Sequence, residues 1–327
     1  MKSHTCDFSP RALLPLVLWP LAPLILFAVA MQVGARSNVL PAPRPALDTE
    51  RTVLIHQAEA ARSPQDAEII LLGDSSCLMN VSALQLGATL GRPALNLGTF
   101  SFLDVNSHAA MLREYSRANP GRLRSVLLLM HAETLRRLGA ESYYADALES
   151  FWSGRDHTGG TAWDTRLGKA LGVDIFKGRL LARVQPQPLG GVYGRRYGFT
   201  HDLENYMTRH RGSIVDPDPQ PLTGSTEYRL AATLEKASKN FRAAVPPGVK
   251  LFVGITPAPE RFAGSRYPTL RDTMLSQWSA WLAGVALTNL PPTMPDAVFV
   301  RTTHLNELAI SNYTAAVAAA LSPLLPK

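Results

Sequence analysis

The fold of this chain is decided by residues 68–76, EIILLGDSS. The four consecutive aliphatic residues in this run are too few for a helix, and turn-forming residues end them. Such a run predicts a parallel strand that is buried on both faces. Open α/β sheets keep their ligand crevice just beyond the carboxyl ends of their strands, and Ser75 lies at that position. The stretch therefore predicts an α/β fold with Ser75 as a candidate nucleophile.

Apolar runs of similar length recur along the chain and predict five parallel strands. They are Ile69–Leu72, Ala94–Leu97, Ser125–Met130, Lys250–Ile255 and Ala297–Val300. Helical patterns fall between them and after the last one, at Met79–Leu90, Asp104–Ala118, Glu227–Ala244, Thr269–Ala283 and Leu305–Leu321. Strands that alternate with helices predict a doubly wound, flavodoxin-like α/β domain.

Composition excludes some classes of function. With 327 residues, of which 46% are hydrophobic and 18% charged, the chain is long enough for one large domain or two small ones. A net charge of +7 and a pI of about 9.6 suit anionic surfaces such as phospholipid head groups or acidic polymers. Dense basic runs and aromatic repeats are lacking, which argues against nucleic-acid binding.

The N-terminal part carries an uncharged apolar run at residues 13–35. At about 1.5 Å per residue, this run is long enough to cross a hydrocarbon core of about 30 Å. A cleavable signal peptide is the alternative, but its apolar region is typically only about 7–15 residues long. We predict a tail at residues 1–12, a transmembrane anchor or uncleaved signal at 13–35, a linker and helix at 36–65, and a globular domain at 66–325.

One segment of the globular domain does not show the alternation of strands and helices. Residues 138–223 are rich in glycine, proline, arginine and aromatic residues, among them Tyr193 and Tyr197. A connection of this length is either a functional lid, a partner-binding insertion or a solvated surface excursion. Its aromatic rings suit either sugar stacking or a local core.

A histidine near the other end of the chain is a candidate general base. A serine hydroxyl is a weak nucleophile that needs an adjacent base during attack. His304 precedes the terminal helix, and an ordinary histidine pKa of about 6.5 leaves its ring neutral and able to accept a proton. Ser75 is far from it in sequence, so only the fold can bring the two together.

These two segments carry a resemblance to a known family. Gly73-Asp74-Ser75 near the start and the His304-Leu305-Asn306 block near the end resemble the SGNH/GDSL hydrolase superfamily. More narrowly, the chain resembles membrane-anchored SGNH-like proteins that work with membrane-bound O-acyltransferases in acylating cell-envelope polymers. The resemblance covers residues 66–134 and 250–321.

The resemblance implies a function. Ser75 would accept an acyl group, with acetyl expected, and pass it to a hydroxyl of a cell-envelope or exported polysaccharide. The implied partner is a membrane-bound O-acyltransferase, and the implied place is the inner membrane, with one span and a periplasmic globular domain. Neither a cofactor nor a metal ion is expected. The alternatives are a carbohydrate esterase or deacetylase and a non-catalytic polymer-binding or scaffold subunit.

The position of the usual third catalytic residue departs from the family pattern. SGNH enzymes carry an aspartate three residues before the histidine, and here that position is Arg301. Three possibilities stay open: a dyad oriented by a backbone carbonyl, an acid from elsewhere, or a site that has lost catalysis. The candidate acids are Asp296, Glu307 and Glu133.

The resemblance also implies where an oxyanion would bind. Residues 96–101 resemble the second family block, so backbone donors are expected at Ser75 and at Gly98 or Ser101. The asparagine of the third block is missing, and His131 stands near its place as either a donor or a structural residue. Asp74, His131, Glu133 and Arg301 are possible supporting residues.

One further stretch, Asp216-Pro217-Asp218-Pro219, indicates a turn rather than a calcium loop, because proline is rigid and no further alternating carboxylates follow.

Overall fold

A computed structural model describes most of the chain. The described residues are 10–37, 39–41, 48–100, 103–137, 148–149, 151–153, 170–181, 184, 187–224, 227–264 and 266–325. The chain divides into two compact units. The smaller unit contains Met1–Ala46 and Glu149–Pro186, and the larger unit contains Leu47–Leu148 and Gln187–Lys327. The predicted insertion, residues 138–223, is thus divided between the two units.

Helices and strands alternate along the described chain. The helices are α1 Pro10–Arg36, α2 Thr49–Arg62, α3 Ser75–Asn80, α4 Ala83–Leu90, α5 Val105–Ala118, α6 Ala132–Arg137, α7 Val173–Phe176, α8 Gly191–Tyr197, α9 Thr200–Arg209, α10 Leu234–Ala244, α11 Glu260–Ala263, α12 Tyr267–Leu282 and α13 Glu307–Leu321. The strands are β1 Ile69–Gly73, β2 Ala94–Asn96, β3 Ser125–His131, β4 Lys250–Thr256, β5 Ala258–Pro259, β6 Val285–Ala286, β7 Thr293–Met294, β8 Phe299–Arg301 and β9 His304–Leu305.

The smaller unit is built around α1. Within this helix, the stretch Trp19–Arg36 has a mean hydropathy of 1.3 and is long and apolar enough to cross a membrane, and no other described helix meets that criterion. The ring of Phe176, at the end of α7, lies edge-on to that of Phe27 with their centroids 5.7 Å apart. The following helical turn, Lys177–Leu181, contacts the segment after α1, since the guanidinium of Arg179 donates to the carbonyl of Pro41 over 3.2 Å. A short segment far along the chain therefore packs on the carboxyl half of α1.

The larger unit contains a five-stranded parallel sheet in the order β2-β1-β3-β4-β6. Every residue of β1 and of β3 is buried, as expected for parallel strands that are covered on both faces. The prediction of an α/β fold with five parallel strands is confirmed.

One predicted strand was wrong. The fifth strand of the sheet is β6, Val285–Ala286, and not Ala297–Val300. β6 is only two residues long and partly exposed, and the apolar run Val285-Ala286-Leu287 around it is too short to predict a strand. The apolar residues of the predicted strand instead lie in the Asp296–Val298 helical turn and in β8, which pairs antiparallel with β9 in a separate hairpin. His304 is the first residue of the second strand of this hairpin.

The helix predicted over Met79–Leu90 is two helices. Val81 and Ser82 interrupt it, and the Ser82 hydroxyl caps α4 by accepting from the backbone N–H of Gln85. The first helix, α3, begins directly at Ser75, with Asp74 as its N-cap. The serine therefore lies at the junction of the strand and the helix.

The terminal helix α13 covers one face of the sheet. Its Tyr313 and Val317 belong to a hydrophobic cluster that also contains Leu71 of β1 and Leu127 and Leu129 of β3. Successive strand residues point to opposite faces, so these three leucines define the face that α13 covers. The chain enters α13 from β9, which places His304 at the carboxyl end of the sheet.

Candidate active site

Three side chains from distant parts of the sequence form a hydrogen-bonded chain in the larger unit. The Oγ of Ser75 lies 2.8 Å from Nε2 of His304, and Nδ1 of His304 lies 2.5 Å from Oδ2 of Asp216. All three residues are buried, with exposed fractions of 7%, 4% and 2%. This is the arrangement of a Ser-His-Asp triad, which is recognised by geometry and not by sequence order.

Asp74 fixes the turn that presents Ser75. One of its carboxylate oxygens accepts from the backbone N–H and from the hydroxyl of Ser76, at 3.0 and 2.6 Å, and the other accepts from the backbone N–H of His131 at 3.0 Å. The hydroxyl of Thr256 donates in turn to that of Ser76 over 2.8 Å. Asp74 thus connects the carboxyl ends of β1, β3 and β4, and its role is to hold the nucleophile turn in place.

Asn80 positions the histidine relative to the serine. Its side chain donates to the carbonyl of Thr303 and accepts from the backbone N–H of Leu305, both over 2.9 Å. These two residues flank His304. Because Asn80 is the last residue of the helix that begins at Ser75, one short helix carries the nucleophile and also holds the base. Nothing in the sequence distinguishes Asn80, since an asparagine at the end of a helix has many ordinary explanations.

The segment that delivers Asp216 is anchored next to the same helix. The hydroxyl of Ser213 donates to the carbonyl of Val81 over 2.8 Å and accepts from the backbone N–H of Ala83 over 3.0 Å. The hydroxyl of Tyr197 makes two bonds to the backbone of Val215, at 2.6 and 3.0 Å. This part of the predicted insertion is therefore an integral part of the larger unit.

The close approach of this segment requires a glycine. Gly212 has a φ of +85°, and a Cβ at this position would lie 1.9 Å from the carbonyl oxygen of Asn96. The side chain of Gln57 donates to the carbonyls of Gly212 and Gly98 at 3.1 and 2.9 Å. The segment that leads to Asp216 therefore contacts the end of β2 at Gly212.

The surroundings of Asp216 keep it ionised. Burial raises the pKa of its carboxyl, but the hydrogen bond and charge of His304, the backbone N–H of Asp218 and the charge of Arg301 outweigh that effect, so its pKa is below the ordinary value. Oδ1 of Asp216, the oxygen that does not bond to His304, accepts from the hydroxyl of Tyr193 at 3.1 Å. A carboxylate can only accept, so Nδ1 of His304 carries the proton and Nε2 is left to accept from Ser75.

The three acids considered from the sequence are engaged elsewhere. Asp296 pairs with Arg261 at 2.5 Å, Glu307 pairs with Arg196 at 3.1 Å, and Glu133 pairs with Arg136 and Arg137. The acid that contacts His304 is Asp216 instead. The turn predicted there does exist, because the backbone N–H of Asp218 bonds to the carboxylate of Asp216 over 3.0 Å. Asp216 does not lie at a characteristic number of residues from His304, so the sequence alone does not distinguish it from other aspartates.

Arg301 does not replace the missing acid but pairs with the actual one. Its Nε lies 2.6 Å from Oδ2 of Asp216, an ion pair that lacks hydrogen-bond alignment, and its Nη2 donates to Oδ2 of Asp218 over 2.8 Å. The cation therefore stabilises the carboxylate at the same oxygen that bonds to His304.

The predicted oxyanion donors differ in their hydrogen bonding. The backbone N–H of Ser75 is at the first position of α3 and has no acceptor within that helix. The backbone N–H of Gly98 donates to the side chain of Asn96 over 2.8 Å, so it is already engaged. Ser101 lies outside the described residues. His131 is buried at the end of β3.

A cleft of about 730 Å³ adjoins the triad. Arg301, Thr303 and His131 line it. Arg301 pairs with Asp216, Thr303 precedes His304 in the chain, and His131 bonds through its backbone to Asp74, the residue before Ser75. Gln220 and Tyr228 contribute to its polar wall. In the described part of the chain, no group of three or more histidine, cysteine, aspartate or glutamate residues is placed to hold a metal ion.

No protein-family model matches this chain, and no curated protein matches it. The geometry of the site therefore carries the functional inference.

Proposed function

We propose that this protein is a membrane-anchored, SGNH-like O-acyltransferase that transfers an acyl group, with acetyl expected, to hydroxyls of a cell-envelope or exported polysaccharide. The observation that carries the proposal is the continuous hydrogen-bonded chain from Ser75 through His304 to Asp216. A serine paired with an oriented base is the arrangement that nucleophilic acyl transfer requires. The strand order, with β1 next to β2 and β3, is that of flavodoxin-like sheets and is consistent with this family.

The first half-reaction forms an acyl-enzyme. Ser75 Oγ attacks the carbonyl carbon of the acyl donor while Nε2 of His304 takes the hydroxyl proton. When the tetrahedral intermediate collapses, the bond between the acyl carbon and the leaving group breaks, and Nε2 returns the proton to the leaving group. Asp216 holds the Nδ1 proton throughout and stabilises the imidazolium that forms in between.

The second half-reaction transfers the acyl group. A sugar hydroxyl attacks the serine ester as Nε2 removes its proton, the ester bond to Oγ breaks, and Nε2 then returns the proton to Ser75. The cleft beside the triad supports a hydroxyl-rich acceptor, because Gln220 and Tyr228 place neutral polar side chains along its wall. Arg137 and Arg301 also line it, but each is paired with an acid.

The anchor fits this reaction. An exported domain lacks direct access to cytoplasmic acyl donors, so a helix that holds it beside a membrane-bound O-acyltransferase gives it a source of acyl groups. The apolar stretch Trp19–Arg36 supports such an attachment, and we propose a single-pass location in the inner membrane with the larger unit in the periplasm.

Measuring the O-acyl content of the polymer in variant strains tests the proposal. Ser75→Ala and His304→Ala are compared with Ser311→Ala and His201→Ala, which change exposed residues outside the triad. Loss of acylation in the first pair alone is expected. A rise in O-acyl content would indicate an esterase or deacetylase, and unchanged content in all four strains would indicate a non-catalytic subunit.

Labelling gives a second measurement that does not depend on the polymer. A fluorophosphonate reacts with a serine whose proton is removed by a neighbouring base, so the full-length protein in detergent should gain one label. We expect peptide mapping to place the label on Ser75, and Ser75→Ala to abolish it. A wild-type protein that remains unlabelled would contradict an activated serine.

A further inference from the structure

His131, the last residue of β3, has one ring nitrogen paired and one unpaired. The residue is 1% exposed. The backbone N–H of Glu133 donates to its Nδ1 over 3.2 Å. Its Nε2 is buried and has no hydrogen-bond partner within the described part of the chain. A buried polar atom without a partner is uncommon in proteins and often marks a functional position.

The paired nitrogen determines which one carries the proton. Because Nδ1 accepts a hydrogen bond, it is unprotonated, and the proton of the neutral ring is on Nε2. Burial, with a smaller contribution from the nearby His304, lowers the pKa of His131 to about 4, against the raising influence of Asp74 and Glu133. The ring is therefore neutral near pH 7 and presents a buried N–H donor.

The sheet places this donor close to the nucleophile. Gly73 of β1 is paired with Leu129 of β3, and the backbone N–H of His131 donates over 3.0 Å to the carboxylate of Asp74, the residue before Ser75. Alternation along β3 puts His131 on the same face as Leu129, the face covered by α13. The side chain of His131 also forms part of the wall of the cleft, together with Thr303.

We propose that the Nε2–H of His131 donates a hydrogen bond to the oxyanion that forms when Ser75 attacks an acyl carbonyl. This inference rests on the proposed function. As the bond between Oγ and the acyl carbon forms, the carbonyl π electrons move onto oxygen, and the backbone N–H of Ser75 and the imidazole N–H of His131 stabilise that charge. A neutral donor that is already fixed by the fold stabilises the developing charge without reorganisation.

This assignment explains why the donor is left unpaired. The backbone N–H of Gly98 is bonded to Asn96 and is not available for the same purpose. A donor held without an acceptor in the resting protein binds most strongly to the species that brings a negative oxygen, which is the transition state rather than the substrate. His131 would therefore raise kcat more than it lowers KM.

The test compares His131→Leu with His131→Gln in the full-length protein in detergent, with p-nitrophenyl acetate as the ester. Leucine removes the donor, whereas the glutamine amide restores an N–H at a similar reach. We expect kcat to fall by about 100-fold or more for leucine with KM changed by less than about threefold, and glutamine to stay within about tenfold of the wild type. Thermal unfolding of each variant is recorded as the control for folding.

A boronic acid gives a readout that a purely structural role would not move. Phenylboronic acid adds to the serine as a tetrahedral anion and resembles the intermediate. Its inhibition constant should rise in His131→Leu by a factor similar to the fall in kcat. An unchanged inhibition constant would overturn the assignment.

The Ser75→Ala variant separates this inference from the proposed function. If Ser75→Ala keeps the esterase activity of the wild type, the proposed function fails and the role of His131 fails with it. If Ser75→Ala is inactive and His131→Leu retains the wild-type kcat, only the role of His131 is overturned. If His131→Leu does not fold, the test is the imidazole N–H proton resonance of His131 in the wild-type protein. Phenylboronic acid should move this resonance downfield. A resonance that does not move would reject the role of His131.

Discussion

Arg301 lies against Asp216, with its Nε 2.6 Å from the same carboxylate oxygen that binds the ring of His304. The pairing of β8 with β9 places Arg301 directly opposite His304 in the hairpin. One hairpin therefore supplies both the base and the cation, and a separate segment supplies the acid between them. A basic residue three positions before the histidine is compatible with a complete triad, because the acid comes from elsewhere.

Replacing Asp216 by asparagine should reduce kcat by about 10³–10⁴-fold, because a neutral amide neither fixes the tautomer of His304 nor stabilises its imidazolium. Ester hydrolysis by the purified full-length protein measures the effect. Asp218→Asn is the matched control, since Asp218 bonds to Arg301 and not to His304. Equal losses in both variants would contradict a specific role for Asp216.

Replacing Arg301 by methionine should lower kcat by about tenfold with little change in KM, because the carboxylate loses a nearby charge but keeps its bond to His304. Arg301→Lys should recover part of the activity, because it keeps the charge but lacks the planar fork that reaches Asp216 and Asp218 together. Steady-state kinetics of the two variants check this expectation. A larger loss for lysine than for methionine would argue against an electrostatic role.

The stability contributed by ionised Asp216 should depend on pH. Its pKa in the folded protein is below the ordinary value of about 3.9, so its contribution is complete above that value and is lost as the pH falls through the lower, folded pKa. The difference in thermal midpoint between wild type and Asp216→Asn should be constant between about pH 5 and 7 and should shrink below about pH 4. A difference that grows on acidification would contradict the lowered pKa.

Asn80→Ala should impair both catalysis and stability. The change leaves the carbonyl of Thr303 and the backbone N–H of Leu305 without their partner, and an unsatisfied buried group costs about 1–3 kcal/mol. Thermal unfolding and kcat are the measurements. Asn106→Ala serves as the control, because Asn106 is an exposed asparagine of α5 whose side chain bonds to the side chains of Asp104 and Asn240. If kcat is unchanged, Asn80 does not position the histidine.

Gly212→Ala should destabilise the larger unit and abolish most of the activity. The left-handed backbone alone costs about 1–2 kcal/mol for alanine, and here the added Cβ would also collide with the carbonyl of Asn96. Gly248→Ala is the matched control, because Gly248 has a similar φ of +80° but no atom of the described residues lies within 4 Å of the added Cβ. Thermal unfolding should show a clearly larger loss at Gly212, and similar losses would show that the close approach is unimportant.

Much of the fold could be predicted from local sequence. The strands at Ile69–Gly73 and Ser125–His131 are buried on both faces, so their residues are apolar without alternation and short enough to be distinguished from helices. β6 could not be predicted, because a two-residue edge strand with partial exposure is too short to show a period, and its apolar run of three residues is shorter than a typical strand. The break at Ser82 was also missed, since its capping hydroxyl also occurs in turns and on exposed helix surfaces.

The features of the candidate site also differ in whether the local sequence could predict them. The sequence by itself determined the apolar N-terminal helix, the α/β sheet and the turn that presents Ser75, because each follows from the composition of a few consecutive residues. Only the tertiary structure decided that Asp216 bonds to His304 and that Asn80 holds the residues on either side of that histidine. It also decided that the acids predicted from the sequence, Asp296, Glu307 and Glu133, pair with arginines instead. Those contacts join residues that are distant in the chain, and a hydrogen bond between two side chains imposes no periodic pattern on the residues around either of them.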